Sequence, residues 1–147
     1  MIKDVVLTPL RIIENPAGNI LHAMKQPEAS FAGFGEAYFS TVEYNVVKGW
    51  KKHTRMVLNV VVPCGHIMFV LFDGRENSET YGKLMEVTLS KENYQRLTVP
   101  PGVWMAFKGL TKELNMLLNI ASIPHDPQEA ENLPLQNNII PYPAFQS

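Results

Sequence analysis

The stretch FDGRENSETYGKLMEVTLSKENYQRLTVPPGVWMAF, residues 72–107, reads as short strands separated by turns. Proline fixes φ and glycine accepts positive φ, so Asp73-Gly74 and Pro100-Pro101-Gly102 mark two of those turns. Gly82–Thr88 and Arg96–Val99 lie between them and Val103–Lys108 follows, with apolar residues recurring at about every second position. Such a period puts successive side chains on opposite faces, as in an antiparallel sheet with one face in the core.

The rhythm continues outward. Upstream it predicts strands at Val5–Ile13, Ile20–Met24, Glu36–Val42, Val46–Lys51, Arg55–Val62 and His66–Phe72, and downstream at Asn115–Ala121. Asn15-Pro16-Ala17-Gly18 and Pro63-Cys64-Gly65 are the remaining strong turns. No segment of ordinary helix length keeps a helical spacing, and Thr111–Leu118 offers a turn or two at most. From Pro124 the chain turns rich in proline and asparagine and reads as an irregular tail over the body. Many short strands with little helix predict an all-β antiparallel jelly roll in one domain, residues 1–147.

Composition sets the class. The 147 residues are 46% apolar and 18% charged, enough to bury a core. A net charge of −1 gives no electrostatic case for nucleic acid or a membrane as partner. The single cysteine, Cys64, excludes an internal disulfide and reads as a small buried or turn residue. Met1-Ile2-Lys3-Asp4 does not open a signal peptide, and no apolar run reaches membrane length, so the cytoplasm is the expected compartment.

KGWKKH, residues 48–53, is the chemically dense segment. On a strand Lys51 and His53 share a face, with Arg55, Val57 and then Asn59 next in line. At the mouth of a small barrel these residues would line a ligand cavity, where a histidine among cations serves as a base near neutral pH. The same pattern also fits a wet strand whose lysines are solvated. A metal site is not expected: a bound divalent ion takes three or more protein ligands. Here one histidine stands on the strand, no acid lies between His53 and Gly65, and Val103-Trp104-Met105 follow the proline turn. His125 sits in the Ile-Pro-His-Asp-Pro turn, which by itself reads as a solvated loop. Trp104 is either core or a pocket wall, and His22 and His66 receive no role.

Residues 72–107 also resemble the dTDP-4-dehydrorhamnose 3,5-epimerase family. Asp73 and Arg75, then Ser78, Thr80 and Gly82, then Leu89-Ser90-x-Glu92-Asn93, then Pro100 and Gly102 fall in that family's order and spacing. Lys48-Gly49 matches the Arg-Gly that opens its active-site strand. The resemblance covers roughly residues 36–130. It implies a cupin-like jelly roll, usually a homodimer, that acts on a nucleotide-linked 4-keto-6-deoxy sugar without metal or other cofactor.

The resemblance also implies roles, and departures from them. The family's catalytic histidine position holds Lys51, and the aspartate that partners it comes from a C-terminal extension not expected in this shorter chain. The family's catalytic tyrosine corresponds to His125, by the match at Pro127. Lys-Gly-x-x-x-His is also similar to sugar 3,4-ketoisomerases, in which His53 matches the second histidine and Trp104 matches a tryptophan. The implied set is therefore His53 as base with Lys51 beside it, or Lys51 itself as base, and His125 as acid. Lys48, Arg55, Tyr38, Ser40, Asn59 and Trp104 are the implied substrate contacts. A 3,5-epimerase is the leading reading; a ketoisomerase or a non-catalytic nucleotide-sugar-binding homologue is the alternative.

Overall fold

The computed structural model describes residues 1–146. Its strands in chain order are β1 (Val6–Pro9), β2 (Ile12–Ile13), β3 (Ile20–Leu21), β4 (Glu36–Thr41), β5 (Val47–His53) and β6 (Leu58–Cys64). They continue with β7 (Ile67–Asp73), β8 (Leu84–Leu89), β9 (Gln95–Val99), β10 (Val103–Gly109), β11 (Met116–Ala121) and β12 (Ala130–Asn132). One sheet runs β1-β9-β6-β11-β4, a second runs β12-β5-β10-β7-β8, and β2-β3 form a small ribbon. All strand pairs are antiparallel, giving a cupin-type jelly roll with two short 3-10 turns among the described residues. Among the described residues no helix is long and apolar enough to cross a membrane.

Several boundaries depart from the periodic reading. The expected Val5–Ile13 strand breaks in two after Pro9, beyond which the Leu10 amide still donates to the Tyr94 carbonyl (3.0 Å), and the expected Ile20–Met24 strand ends at Leu21. The strand expected from Arg55 starts only at Leu58, because the amides of residues 54–56 are taken by a side chain described below. The tail lies over the body as expected, but it is not wholly irregular. Its β12 pairs with β5, registering Ala130 with His53 and Asn132 with Lys51.

β7 explains the layering. Its residues Ile67–Phe72 are apolar without a break, which suits a strand covered on both faces. Ile67, Phe69 and Leu71 point between the sheets, against Val60, Leu97 and Leu117. Val70 and Phe72 point outward, with Trp50, Trp104 and Ala106, and there Ile140 and Phe145 of the tail cover them. Each fully buried side chain of this size contributes about 1.5–3 kcal/mol.

The Asp-x-Arg and Pro-x-Gly motifs prove to be one latch. Asp73 is fully buried and accepts hydrogen bonds from Arg75 Nε (2.8 Å), Ser78 Oγ (2.7 Å) and Thr80 Oγ1 (2.6 Å). Arg75 also donates to the Lys3 carbonyl (2.6 Å) and to Asp4 (3.0 Å), fastening the N-terminus. Gly102, at φ +87°, turns directly under it: an added Cβ would meet Arg75 Cγ at 2.4 Å. The amide of Gly102 then donates to the His53 carbonyl (2.8 Å), so the latch also holds the end of β5.

Burial tends to raise the Asp73 pKa, but the hydrogen bonds from Arg75, Thr80 and Ser78 outweigh it and hold it well below its ordinary value of 3.8. A depressed carboxyl stabilises the fold above its unfolded pKa and loses that contribution as pH falls through the folded one. Asp73→Asn should therefore cost about 3–5 kcal/mol in urea unfolding at pH 7, as for other broken buried pairs. The gap between the two proteins should narrow on acidification below the ordinary carboxyl range.

Candidate active site

β4, β6 and β11 of one sheet and β5 and β10 of the other enclose a cavity of about 220 Å³. Lys48, Lys51 and His53 reach it from β5, and Tyr38, Ser40 and Asn119 face them from the opposite sheet. Leu58, Val60, Met105, Phe107 and Leu117 make the apolar walls. Among the described residues no carboxylate lines it.

A regular strand would put Lys48 and Lys51 on opposite faces. A β-bulge prevents this: Met105 pairs with Lys51 while Phe107 pairs with Lys48, so β5 spends an extra residue there. Gly49 sits in the bulge, where an added Cβ would meet Ala106 Cβ at 2.7 Å and Leu135 Cδ2 at 3.0 Å. Trp50 thereby turns outward into the second core and both lysines turn inward. Lys48 Nζ donates to the Thr41 carbonyl (2.6 Å). Among the described residues neither Lys48 nor Lys51 forms an ion pair, whereas Lys52 on the outer face bonds Glu131 (3.0 Å) and lies 5.0 Å from the Trp104 ring centre. Two unneutralised cations on one cavity wall give it a positive character.

His53 has a carboxylate partner. Its Nδ1 hydrogen-bonds Glu129 Oε1. The other oxygen, Oε2, accepts from the amides of Thr54 (3.2 Å), Arg55 (3.1 Å) and Met56 (3.2 Å). Asp126 starts the short 3-10 turn Pro127–Glu129 by accepting from the Gln128 amide (3.0 Å), and the turn carries Glu129 inward until 4% of it is exposed. Burial acts to raise the Glu129 pKa, but the bonds from His53 and from the Arg55 and Met56 amides win and lower it. The ionised carboxylate keeps the imidazole proton on Nδ1. Nε2 is left as an acceptor toward the cavity.

Four of the implied site residues lie elsewhere. Arg55 is exposed and bonds Asp126 (3.2 Å), because the chain from Thr54 to Met56 wraps onto Glu129 and the strand alternation lapses. That lapse flips the parity of β6. Leu58 and Val60 face the cavity, and Asn59 faces away, accepting from Arg96 Nε (3.2 Å) and Thr98 Oγ1 (2.6 Å). Trp104 lies on the outer face of β10, in the core under the tail. His125 occupies the exposed turn before Pro127 and is not part of the cavity lining. Two residues escaped the sequence reading: Glu129, in a tail without periodicity, and Asn119, whose signal was a polar side chain at an inward position of an apolar strand.

A family model for dTDP-4-dehydrorhamnose 3,5-epimerase matches residues 1–141. The chain belongs to that family. It is 39% identical to a dTDP sugar isomerase from Desulfovibrio desulfuricans G20, over 96% of this chain and 90% of that one, with a TM-score of 0.93. It is 26% identical over 132 residues to the probable low-salt glycan biosynthesis epimerase Agl13 of Haloferax volcanii, covering 88% of this chain and 85% of the relative. A dTDP-4-dehydrorhamnose 3,5-epimerase from Elizabethkingia anophelis NUHP1 has the same fold at 21% identity and a TM-score of 0.78, with 90% and 76% covered. The protein is thus placed among sugar-nucleotide epimerases.

In an epimerase the orienting carboxylate should show in turnover. Glu129→Gln keeps the shape but removes the charge that selects the tautomer. Its kcat should fall at least about tenfold with little change in KM, and stability in urea should drop by about 1–3 kcal/mol as amide acceptors weaken.

Proposed function

We propose that this protein inverts a carbon beside the ketone of a nucleotide-linked 4-keto-6-deoxy sugar. The observation that carries the reading is the His53–Glu129 pair, opening on a cavity that holds two unneutralised lysines and no acid. A carbon acid beside a ketone needs a base placed at the C–H and positive charge where the enolate oxygen forms. His53 is the base; Lys51, nearer to it along β5, stabilises the enolate; Lys48 holds the diphosphate. Ser40 is a sugar contact. Glu129 also serves the fold, so what speaks for catalysis over the non-catalytic alternative is its position on Nδ1 of a histidine that lines the cavity.

The reading includes a cytoplasmic homodimer built on the N-terminal strands. β1 is a sheet edge, Val6 on it is 41% exposed, and beside it runs a groove of about 540 Å³ flanked by Pro9, Leu10 and His22. Light scattering should give twice the chain mass.

The direct test is incubation with dTDP-4-keto-6-deoxyglucose in deuterium oxide, with incorporation at carbons 3 and 5 followed by NMR. Exchange with inversion is expected. Binding without exchange would return the non-catalytic reading, and a product with its ketone at carbon 3 would identify a ketoisomerase. His53→Asn should lower kcat by about 10²–10⁴-fold with near-normal affinity, and Lys48→Ala should mainly raise KM. Should Lys51→Met abolish exchange while His53→Asn retains most of it, the base is Lys51.

A further inference from the structure

Inversion needs two groups: one takes a proton from one face of the carbon, and another returns a proton to the opposite face. His53 occupies one wall of the cavity, on β5. The only phenol among the described lining residues, Tyr38, stands on the other wall, on β4 of the facing sheet. Its register with Asn119 on β11 puts the two side chains side by side, and Asn119 Nδ2 donates to Tyr38 Oη (3.0 Å). The phenol oxygen thus accepts from the protein and keeps its own O–H for the cavity. Asn119 lines the cavity and is itself 3% exposed, and its Oδ1 has no partner among the described residues, so this wall retains unmet polar capacity.

From this opposition we infer that Tyr38 is the proton donor of the inversion, with Asn119 as its positioning residue. The inference rests on the epimerase reading. His53 Nε2 takes the proton as the C–H bond breaks, and the electron pair moves into the enolate. Tyr38 O–H then delivers its proton to the other face, forming the new C–H bond and leaving a phenolate. The phenolate accepts the hydrogen bond from Asn119, and Tyr38, 46% exposed, recovers its proton from solvent as the histidinium loses one. Atoms and charge balance with no co-reactant. His125, the acid expected from the resemblance, is exposed in its turn and outside the cavity lining.

The test compares exchange with inversion in deuterium oxide, using dTDP-4-keto-6-deoxyglucose. In Tyr38→Phe, His53 can still remove a proton and return a deuteron to the same face. Exchange should persist within a few-fold while inversion falls about 10²–10⁴-fold. Asn119→Leu should move the ratio in the same direction by less. Equal inversion in wild type and Tyr38→Phe overturns the inference. So does parallel loss of exchange and inversion, which would make Tyr38 a binding or structural group. So does selective loss of inversion in His125→Gln while Tyr38→Phe still inverts. Wild-type protein that neither exchanges nor inverts would instead bring down the epimerase reading itself.

Discussion

The buried carboxylate of Glu129 is the interaction on which this fold and its site both depend. An ion at 4% exposure costs several kcal/mol in lost hydration unless it is fully partnered. Glu129 is partnered by one imidazole and three consecutive amides, at residues 53–56. The Arg55 and Met56 amides would otherwise lack acceptors where β5 and β6 part. The need runs both ways: the turn requires the carboxylate, and the carboxylate requires the turn. Thr54 adds its amide (2.8 Å) and hydroxyl (2.8 Å) to the Glu129 carbonyl, and β12 zips onto β5 from that point. The tail then continues to Ile140 and Phe145, which seal the outer core over Trp50 and Trp104. One acidic side chain therefore orients His53 and docks the segment that closes the second layer.

The cavity depends on a second local constraint, the bulge at Gly49. Without it Lys48 would follow the alternation to the outer face and the site would lose one of its cations. The glycine is required by close approach to Ala106 and Leu135 rather than by an unusual φ. Because β10 is packed on both faces, it fixes how near β5 can come, and only a residue without Cβ fits at the crossing. Two lysines turned to one cavity repel each other, which an anionic ligand or a developing enolate would relieve. Such a cavity is poised to prefer the charge that appears as a proton leaves carbon.

How much of this could be read from the sequence follows from the range of the forces involved. Strands β4, β7, β10 and β11 were legible within a residue or two, since alternation and turn chemistry are local and survive in the linear pattern. The pairing of Lys51 with His53 on one face was legible for the same reason. β12 was not: Ala130-Glu131-Asn132 has no apolar rhythm and becomes a strand only because β5 offers it a ladder. The parity change that turned Asn59 away and freed Arg55 to solvent arises where Glu129 captures the backbone, a contact across more than 70 positions of chain. Trp104 was ambiguous because an aromatic residue after a turn suits either face, and the tail that buries it gave no sign of being core. The expected want of a carboxylate for the base had the same root, since Glu129 looked like one more acid in a polar tail.

A sandwich of two sheets is well suited to this chemistry. Epimerisation asks for groups on both faces of a planar intermediate, and a single sheet can present only one. In the jelly roll the interior-facing residues of β5 and β4 oppose one another across the cavity by construction, because each strand sends alternate side chains inward. The C-terminal end of β5 is held by the Asp73–Arg75 latch, through Gly102 to the His53 carbonyl, and by Glu129 on the His53 ring. Both anchors converge on His53. The facing wall is looser: Tyr38 lies on an edge strand and is nearly half exposed. A rigid base and a solvent-connected opposite wall match the separate demands of the two half-reactions. Abstraction needs exact placement against a weakly acidic C–H bond, and reprotonation needs a group that can refill from water.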